Sequence, residues 1–339
     1  MNYYSGLDVS LKETFISIID DKGLTVKEGF VPTDVGSISS YLKEGGLTYD
    51  KIGLESGQLS ISLCKGLITQ GLSVTCVDAR HMASALSARI NKNDRNDARG
   101  IAQMMRAGLY KEVQVKSDES CRLKVLLGSR RQLVSNRQQL KGTIRGLLKI
   151  YGIKLGGQAA SEVFGTRVRQ AIKTQDQITC DSISALLESL EVIEASLTKL
   201  GKILSELGQK DDDCQRLMTI PGVGAITAMT YKAALDEAGR FERSETVGAY
   251  MGLTPRQYAS GEVDRHGSIS KMGPQECRNM LYEAAFSLLV TCKTKSKLKT
   301  WGLKLLKKKG VKKAVVAVAR KLAVIMHRML VTKTVFCPQ

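Results

Sequence analysis

The sequence predicts an α/β domain followed by a long, increasingly basic helical region. Three observations predict it. Short strand-like runs punctuated by turn residues fill the first 110 of 339 residues. Leucines at alternating steps of three and four then mark long helices. The formal charge of +18 is also uneven: residues 1–110 balance, and residues 221–339 hold most of the excess. A neutral front and a basic back argue against an ordinary small-metabolite enzyme and favour a polyanionic partner, most simply nucleic acid. Apolar residues recur throughout, which argues against disorder.

Tyr3 to Val9, Thr14 to Ile19 and Thr25 to Val31 are strands, separated by Lys12-Glu13 and by Asp20-Asp21-Lys22-Gly23. Ser37 to Lys43 is helical and stops at Gly45-Gly46. Lys51 to Glu55 is a fourth strand, Leu59 to Ile68 a helix, and Ser73 to Val77 a fifth strand. Residues 79–90 and 94–107 read as helices. Three hairpin-linked strands followed by α-β-α-β-α is the order of a ribonuclease-H-like fold.

The middle is helical. Leu186, Leu190, Ile193, Leu197, Leu200, Leu204 and Leu207 form an a/d seam, which serves an intramolecular hairpin and a dimer equally well. Leu123, Leu126, Leu133, Leu140, Ile144 and Leu147 form a similar stripe interrupted by Arg130 and Arg137, in a stretch with no acidic residue between Cys121 and Ala160. The two long helices join near Gly152–Gly157 and a segment up to Thr179, and Asp211-Asp212-Asp213 reads as a linker. The domains are therefore expected at 1–110, 111–212 and 213–339. Residues 214–292 read as a compact, mostly helical domain. After Glu283 no acidic residue remains, while lysines from Lys293 to Lys313 interleave with Leu298, Trp301, Leu303, Leu305 and Leu306. Phosphate contacts explain this run better than a merely solvated helix face.

Eight dispersed cysteines, none in a CxxC pair, suit a reducing cytoplasm rather than a disulfide scaffold. The start has neither a charged n-region nor an apolar h-region, so no signal peptide is expected. The most apolar stretch, Val315 to Leu330, contains Arg320, Lys321 and Arg328, so no membrane span is expected.

Three constellations carry chemistry. The first is acidic: Asp8 within the first strand, Glu55 at the end of the fourth, and Asp94 and Asp97 on one face of a helix start. Singly, each has a plain structural reading as a cap or turn residue. As a set at strand and helix ends they favour a hard divalent cation, Mg²⁺ or Mn²⁺, which would relieve their mutual repulsion. The second is Ile220-Pro221-Gly222-Val223-Gly224 before a helix. It is either a tight structural turn or a helix–hairpin–helix-like element in which Gly222 and Gly224 offer backbone N–H groups to a phosphate. The third is Tyr258-Ala259-Ser260-Gly261 in a loop-like stretch with Arg256, Arg265 and Lys271, cations able to stabilise an anion beside an attacking serine. A Ser-Gly pair is otherwise an ordinary turn. His266 suits a phosphate contact or a structural hydrogen bond.

In this order, Gly6-Leu7-Asp8-Val9-Ser10, Leu54-Glu55-Ser56-Gly57, Asn93-Asp94-Arg95-Asn96-Asp97-Ala98, Ile220-Pro221-Gly222-Val223-Gly224 and Tyr258-Ala259-Ser260-Gly261 resemble the DEDD-type insertion-sequence transposases, the group that includes the pilin-gene invertase. The resemblance spans nearly the whole chain. It implies an N-terminal RuvC-like domain of ribonuclease-H fold, a central coiled-coil segment and a C-terminal transposase domain. It places the family's four acidic positions on Asp8, Glu55, Asp94 and Asp97. Its nucleophilic serine falls on Ser260, although Ser268 and Ser270 lie nearby. It implies a cytoplasmic, nucleoid-associated recombinase acting on donor and target DNA as a dimer or tetramer. A structured guide RNA encoded by the element would direct it. The basic tail, with Arg130 and Arg137, is compatible with such partners.

On this reading Ser260 attacks a scissile phosphate and Mg²⁺ at the acidic set stabilises the reacting oxygens. The acidic and serine parts, far apart in sequence, are expected to make a composite site that two protomers can share. Mixing Ser260→Ala and Asp8→Ala chains would then restore some activity, and no rescue would argue against sharing. Two other readings compete: a metal-only RuvC-like nuclease such as a junction resolvase, and a non-catalytic nucleic-acid-binding protein.

Overall fold

The structure is a computed structural model describing residues 2–87, 93–156 and 161–338. It divides into two compact units, Met1–Lys116 and Ser117–Gln339.

In the first unit, β1 (Tyr3–Val9), β2 (Glu13–Ile19) and β3 (Thr25–Pro32) form an antiparallel meander. Next come α1 (Val35–Lys43), β4 (Tyr49–Glu55), α2 (Ser60–Thr69), β5 (Val74–Val77), α3 (Ala79–Leu86) and α4 (Asp94–Ala107). The sheet order is β3-β2-β1-β4-β5, with β4 parallel to β1 and β5 parallel to β4. The expected strands and helices appear with ends shifted by one or two residues. The exception is residues 79–90, where α3 stops at Leu86 and residues 88–90 lie outside the described residues.

Alternation along the strands sends Leu7, Ile16, Ile52 and Leu54 into a core shared with Ile38, Leu42, Leu63 and Leu67 of α1 and α2. The opposite face is covered by α4, which packs Ile101 and Met105 with Val77 and Met82. Glycine makes that cover close: a Cβ on Gly6 would stand 2.1 Å from the Ala98 carbonyl oxygen and 2.5 Å from the Ala102 nitrogen. On Gly53 it would stand 2.6 Å from Met105 Cγ. Asn93 caps α4 by accepting from the Asn96 N–H at 2.8 Å.

The second unit begins with three helices, α5 (Asp118–Leu148), α6 (Ser161–Ile172) and α7 (Gln177–Lys210). Then follow α8 (Asp212–Met218), α9 (Ala225–Leu235), α10 (Thr246–Tyr250), β6 (Pro255–Ser260), β7 (Val263–Ile269), α11 (Gln275–Phe286), α12 (Lys297–Lys309) and α13 (Val311–Thr332). The start of α5 packs near the end of α7: Leu123, Leu127 and Leu204 share the core of the later helices. The end of α5 meets the start of α7, with Ile144 and Leu148 beside Ile183, Leu187 and Leu190. The two helices are therefore antiparallel within one chain. The last helix, α13, is the centre of the main core. Its Val315, Val318, Leu322 and Met326 are fully buried, and the buried Tyr231 hydroxyl donates to the Ala323 carbonyl at 2.5 Å.

Two sequence expectations change here. Asp211-Asp212-Asp213 is not a linker. Asp211 caps α8 through the Cys214 N–H at 2.9 Å and pairs with Lys232, while Asp213 holds Arg216 and Lys333. The loop-like stretch around Ser260 is a β-hairpin, β6–β7.

Candidate active site and nucleic-acid interface

Strand register puts the first two acidic residues side by side. Leu7 pairs with Leu54 between the parallel strands β1 and β4, so Asp8 and Glu55 occupy the next step together. They point to the same face as Gly6 and Gly53, the face that α4 covers, because side chains alternate along a strand. Asp8 also pairs with Phe15, and Phe15 with Phe30, across β2 and β3. The row Glu55, Asp8, Phe15, Phe30 thus crosses one end of the sheet.

The first turn of α4 lies at that end. Gly6 faces Ala98 and Ala102, whereas Gly23, in the β2–β3 turn at the other end of the sheet, faces Gln103 and Arg106, so α4 runs towards lower residue numbers as β1 approaches Asp8. Arg95 sits over the Phe15 ring at 5.7 Å. Asp94 and Asp97 belong to the same turn, Asp94 exposed and Asp97 half-buried. The strands and α4 therefore carry all four acidic residues to one end of one face.

Asp8 and Glu55, both half-buried, line a cavity of about 270 Å³ together with Ser10, Ser56, Gln58 and Ser60. Asp94 and Asp97 are not among its walls. Among the described residues, no three His, Cys, Asp or Glu side chains stand close enough to hold an ion. The donors in the cavity nonetheless fit a hard divalent cation, being carboxylate, hydroxyl and amide oxygens with no thiolate or imidazole.

The placement of α4 depends on residues that carry no motif. Glu28 of β3 receives Arg99 Nε at 2.5 Å and Nη2 at 2.8 Å, and the Ser17 hydroxyl at 2.9 Å. Burial opposes the Glu28 charge, but the bonds from Arg99 and Ser17 outweigh it and hold the carboxyl below its ordinary range. Sequence reading passed over this anchor. Its signal was a lone carboxylate in a strand, Glu28, matched by an arginine one helical turn after Arg95.

In the second unit, Ser260 ends β6 opposite Val263, at the tip of the hairpin and exposed. Tyr258 pairs with Arg265, so Ser260, Tyr258, Val263 and Arg265 share one face of the ribbon. All six residues of β6 are exposed. The root is tied down by Ser270 N–H donating to Thr254 O at 2.8 Å and Lys271 N–H to Gly252 O at 3.1 Å. Arg256 reaches back to the Ser270 carbonyl at 3.4 Å. Lys271 is one of three non-glycine residues with positive φ among the described residues, at 57°. His266 lies opposite Gln257 in the register, and its side chain is outside the described residues.

The two glycines of the Pro-Gly-Val-Gly turn between α8 and α9 differ. Gly222 has φ +91°, and a Cβ there would stand 2.7 Å from the Ala284 carbonyl and 3.0 Å from the Leu288 nitrogen. Its role in packing is evident. Gly224 is the exposed N-cap of α9 with open space beside it, and no acidic residue follows in the first turn. Arg137 pairs with Glu194 of α7 at 3.4 Å, joined by Lys141 at 3.6 Å. Arg130 Nε is buried without a hydrogen-bond partner, and burial together with the Arg137 charge lowers its proton affinity.

Among the described residues, no helix is long and apolar enough to cross a membrane. The remaining histidine of the second unit is structural. His327 is buried, with ring nitrogens 2.9 Å from both Ser244 Oγ and the Ala238 carbonyl oxygen.

Comparison with known proteins places this geometry in context. Residues 5–153 match a family model described as a transposase, of the DEDD group, and residues 214–300 match the model of the transposase IS116/IS110/IS902 family. The transposase for insertion sequence element IS1111A of Coxiella burnetii is 32% identical over 272 residues, covering 77% of this chain and 72% of that protein. A probable family 20 transposase of Pseudomonas aeruginosa is 27% identical over 252 residues, covering 73% and 75%. The pilin gene-inverting protein of Moraxella bovis is 28% identical over 108 residues, covering 32% and 33%.

Proposed function

The chain belongs to the IS116/IS110/IS902 family of transposases, and from that premise we propose that it recombines DNA through a covalent phosphoserine intermediate assisted by Asp8, Glu55, Asp94 and Asp97. The observation that carries this reading is the shared placement of Asp8 and Glu55 at adjacent parallel strand ends, in one cavity, on the face covered by the helix of Asp94 and Asp97.

Transposases of this family act on DNA as enzymes, and a DEDD-type domain implies use of a divalent metal. In our reading the ion is Mg²⁺, with Mn²⁺ as substitute; Asp8 and Glu55 would hold it in their cavity, and Asp94 and Asp97 would join them from the first turn of α4. When bound, it would stabilise negative charge developing around the phosphorus. The Ser260 Oγ attacks the scissile phosphate, the bond to the 3′ oxygen breaks, and that oxygen leaves as a 3′-hydroxyl after taking up a proton. Attack by the 3′-hydroxyl of a partner strand on the phosphoserine then reseals the strand and restores the serine. Phosphodiester number is conserved, so no nucleotide cofactor is required. Arg256, Arg265 and Lys271 supply positive charge on and below the hairpin that carries Ser260. Gly224, and Gly222 beside it, offer backbone to a DNA phosphate.

Residues 1–110 act as a RuvC-like domain of ribonuclease-H fold, 111–212 as a coiled-coil segment bearing Arg130 and Arg137, and 213–339 as the transposase domain. The protein works as a dimer or tetramer on donor and target DNA, under direction of an element-encoded RNA, in the cytoplasm at the nucleoid.

A suicide DNA substrate tests the mechanism. The expected result is a covalent adduct that requires divalent metal and disappears in Ser260→Ala. Metal-dependent cleavage persisting in Ser260→Ala without an adduct would instead establish the metal-only nuclease.

A further inference from the structure

Trp301 is the one tryptophan in the chain, and it lines two basic grooves that share it along α12. The larger, of about 970 Å³, lies between the hairpin root and helices α12 and α13. Its floor is apolar: Trp301, Ile269, Val316, Val324 and Ile325. Its rim is cationic: Lys309, Lys312, Lys313, Arg320 and Lys321, against a single carboxylate, Glu245. The smaller groove adds Lys295, Lys297 and Lys304 beyond the indole. Among the described residues, none of these lysines is paired with a carboxylate. The Lys321 ammonium stands 4.1 Å from the indole centre, so the ring already carries a cation on its face.

We propose that the two grooves form one track for single-stranded DNA, with a base stacked on Trp301. This rests on the transposase reading and adds a site to it. An apolar floor under a cationic rim suits a ligand that carries both ring faces and phosphates. A duplex keeps its base faces stacked and offers only base edges and phosphates, so it would bring no ring face to the indole. A single strand brings both surfaces: bases for the indole and aliphatic side chains, phosphates for the lysines. On binding, the base replaces the Lys321 ammonium over the ring and Lys321 moves to a phosphate. Pro255, Gly267 and Ser268 form the near wall, so the track begins at the root of the ribbon whose tip carries Ser260. A strand separated from its complement during exchange has the exposed bases that this track requires.

The single tryptophan makes the test site-specific. The full-length protein is titrated with a 12-nucleotide oligo(dT), its duplex with oligo(dA), oligo(U) of equal length, and an acidic amphipathic peptide. Trp301 emission reports the groove, and anisotropy of labelled DNA reports total binding. Oligo(dT) is expected to quench Trp301 saturably, while the duplex binds without comparable quenching. Lys312→Glu/Lys313→Glu, on exposed positions, is expected to weaken oligo(dT) at least about tenfold. Trp301→Leu is expected to weaken oligo(dT) by about 5- to 100-fold, with duplex binding unchanged. Asp8→Ala should retain the quench.

Equal quenching by duplex, tighter binding of oligo(U) than oligo(dT), or quenching by the acidic peptide alone would overturn the proposal. So would oligo(dT) binding that leaves Trp301 emission unchanged. If that last result came with duplex binding and strand cleavage intact, only the groove assignment would fall. Loss of all DNA binding in the wild-type chain would remove the transposase mechanism with it.

Discussion

Arg99 of α4 grips Glu28 of β3 with two roughly parallel hydrogen bonds, at 2.5 and 2.8 Å, and so pins the first half of α4 to the sheet. Glu28→Gln keeps the shape and removes the charge. Because Glu28 is largely buried while Arg99 is 42% exposed, the expected loss at pH 7 is only about 1–2 kcal/mol. The carboxyl is held below its ordinary value, so its stabilisation is present above the unfolded-state value, about 4.3, and fades as pH falls through the lower folded value. Urea unfolding should therefore separate wild type from variant at pH 7 and bring them together towards pH 3. A gap that widens in acid would contradict the assignment.

Gly6→Ala places a methyl group where the Ala98 carbonyl and Ala102 nitrogen already stand. Backbone atoms cannot step aside as a side chain can, so α4 must move off β1. A stability loss of at least about 3 kcal/mol is expected from this overpacking, along with loss of strand cleavage. Denaturant melts and a cleavage assay at permissive temperature measure both. An active variant of wild-type stability would show that α4 need not lie so close.

The two glycines before α9 should respond in opposite ways. Gly222→Ala combines a positive φ with a backbone collision, and should cost about 2 kcal/mol or more. Gly224→Ala meets open space at an ordinary φ of −98°, so stability should change by less than about 1 kcal/mol. If the Gly224 backbone meets DNA, its variant should weaken duplex binding although it melts like wild type. Unchanged affinity, measured by filter binding over a salt series, would leave Gly224 a turn residue.

Ser260 is exposed at the hairpin tip and supports no core contact. Ser260→Ala should melt within about 0.5 kcal/mol of wild type yet form no adduct with a suicide substrate. Ser268→Ala and Ser270→Ala are the controls. An adduct that survives in Ser260→Ala and vanishes in either control would move the nucleophile to that serine.

The first unit was largely legible because its strands are punctuated by turn residues and alternate around a core, as Leu7, Ile16, Ile52 and Leu54 show. The strand positions of Asp8 and Glu55 were legible too, but the parallel register that sets them at the same level was not, because β1 and β4 become neighbours only in the folded sheet. The hairpin of Ser260 was not, because β6 is exposed at all six positions and so lacks apolar alternation. Asp211 looked like a linker because its partner, Lys232, lies 21 residues away, and Lys333 lies 120 residues from Asp213. The heptads of α7 announced a helix with a seam without identifying what fills it. The Arg137–Glu194 bond and the cluster of Ile144, Leu148 and Leu187 supply α5 as one occupant.

The short Gly261-Glu262 turn makes the β6–β7 ribbon a ruler. Adding two residues to each strand would extend the Ser260 hydroxyl by about 7 Å, at roughly 3.4 Å per residue, while leaving its orientation unchanged. Adding one to each would present it on the reverse side. The distance that this hydroxyl spans from the helical body is thus set in paired steps, by the exposed length of ribbon beyond its Ile269 root.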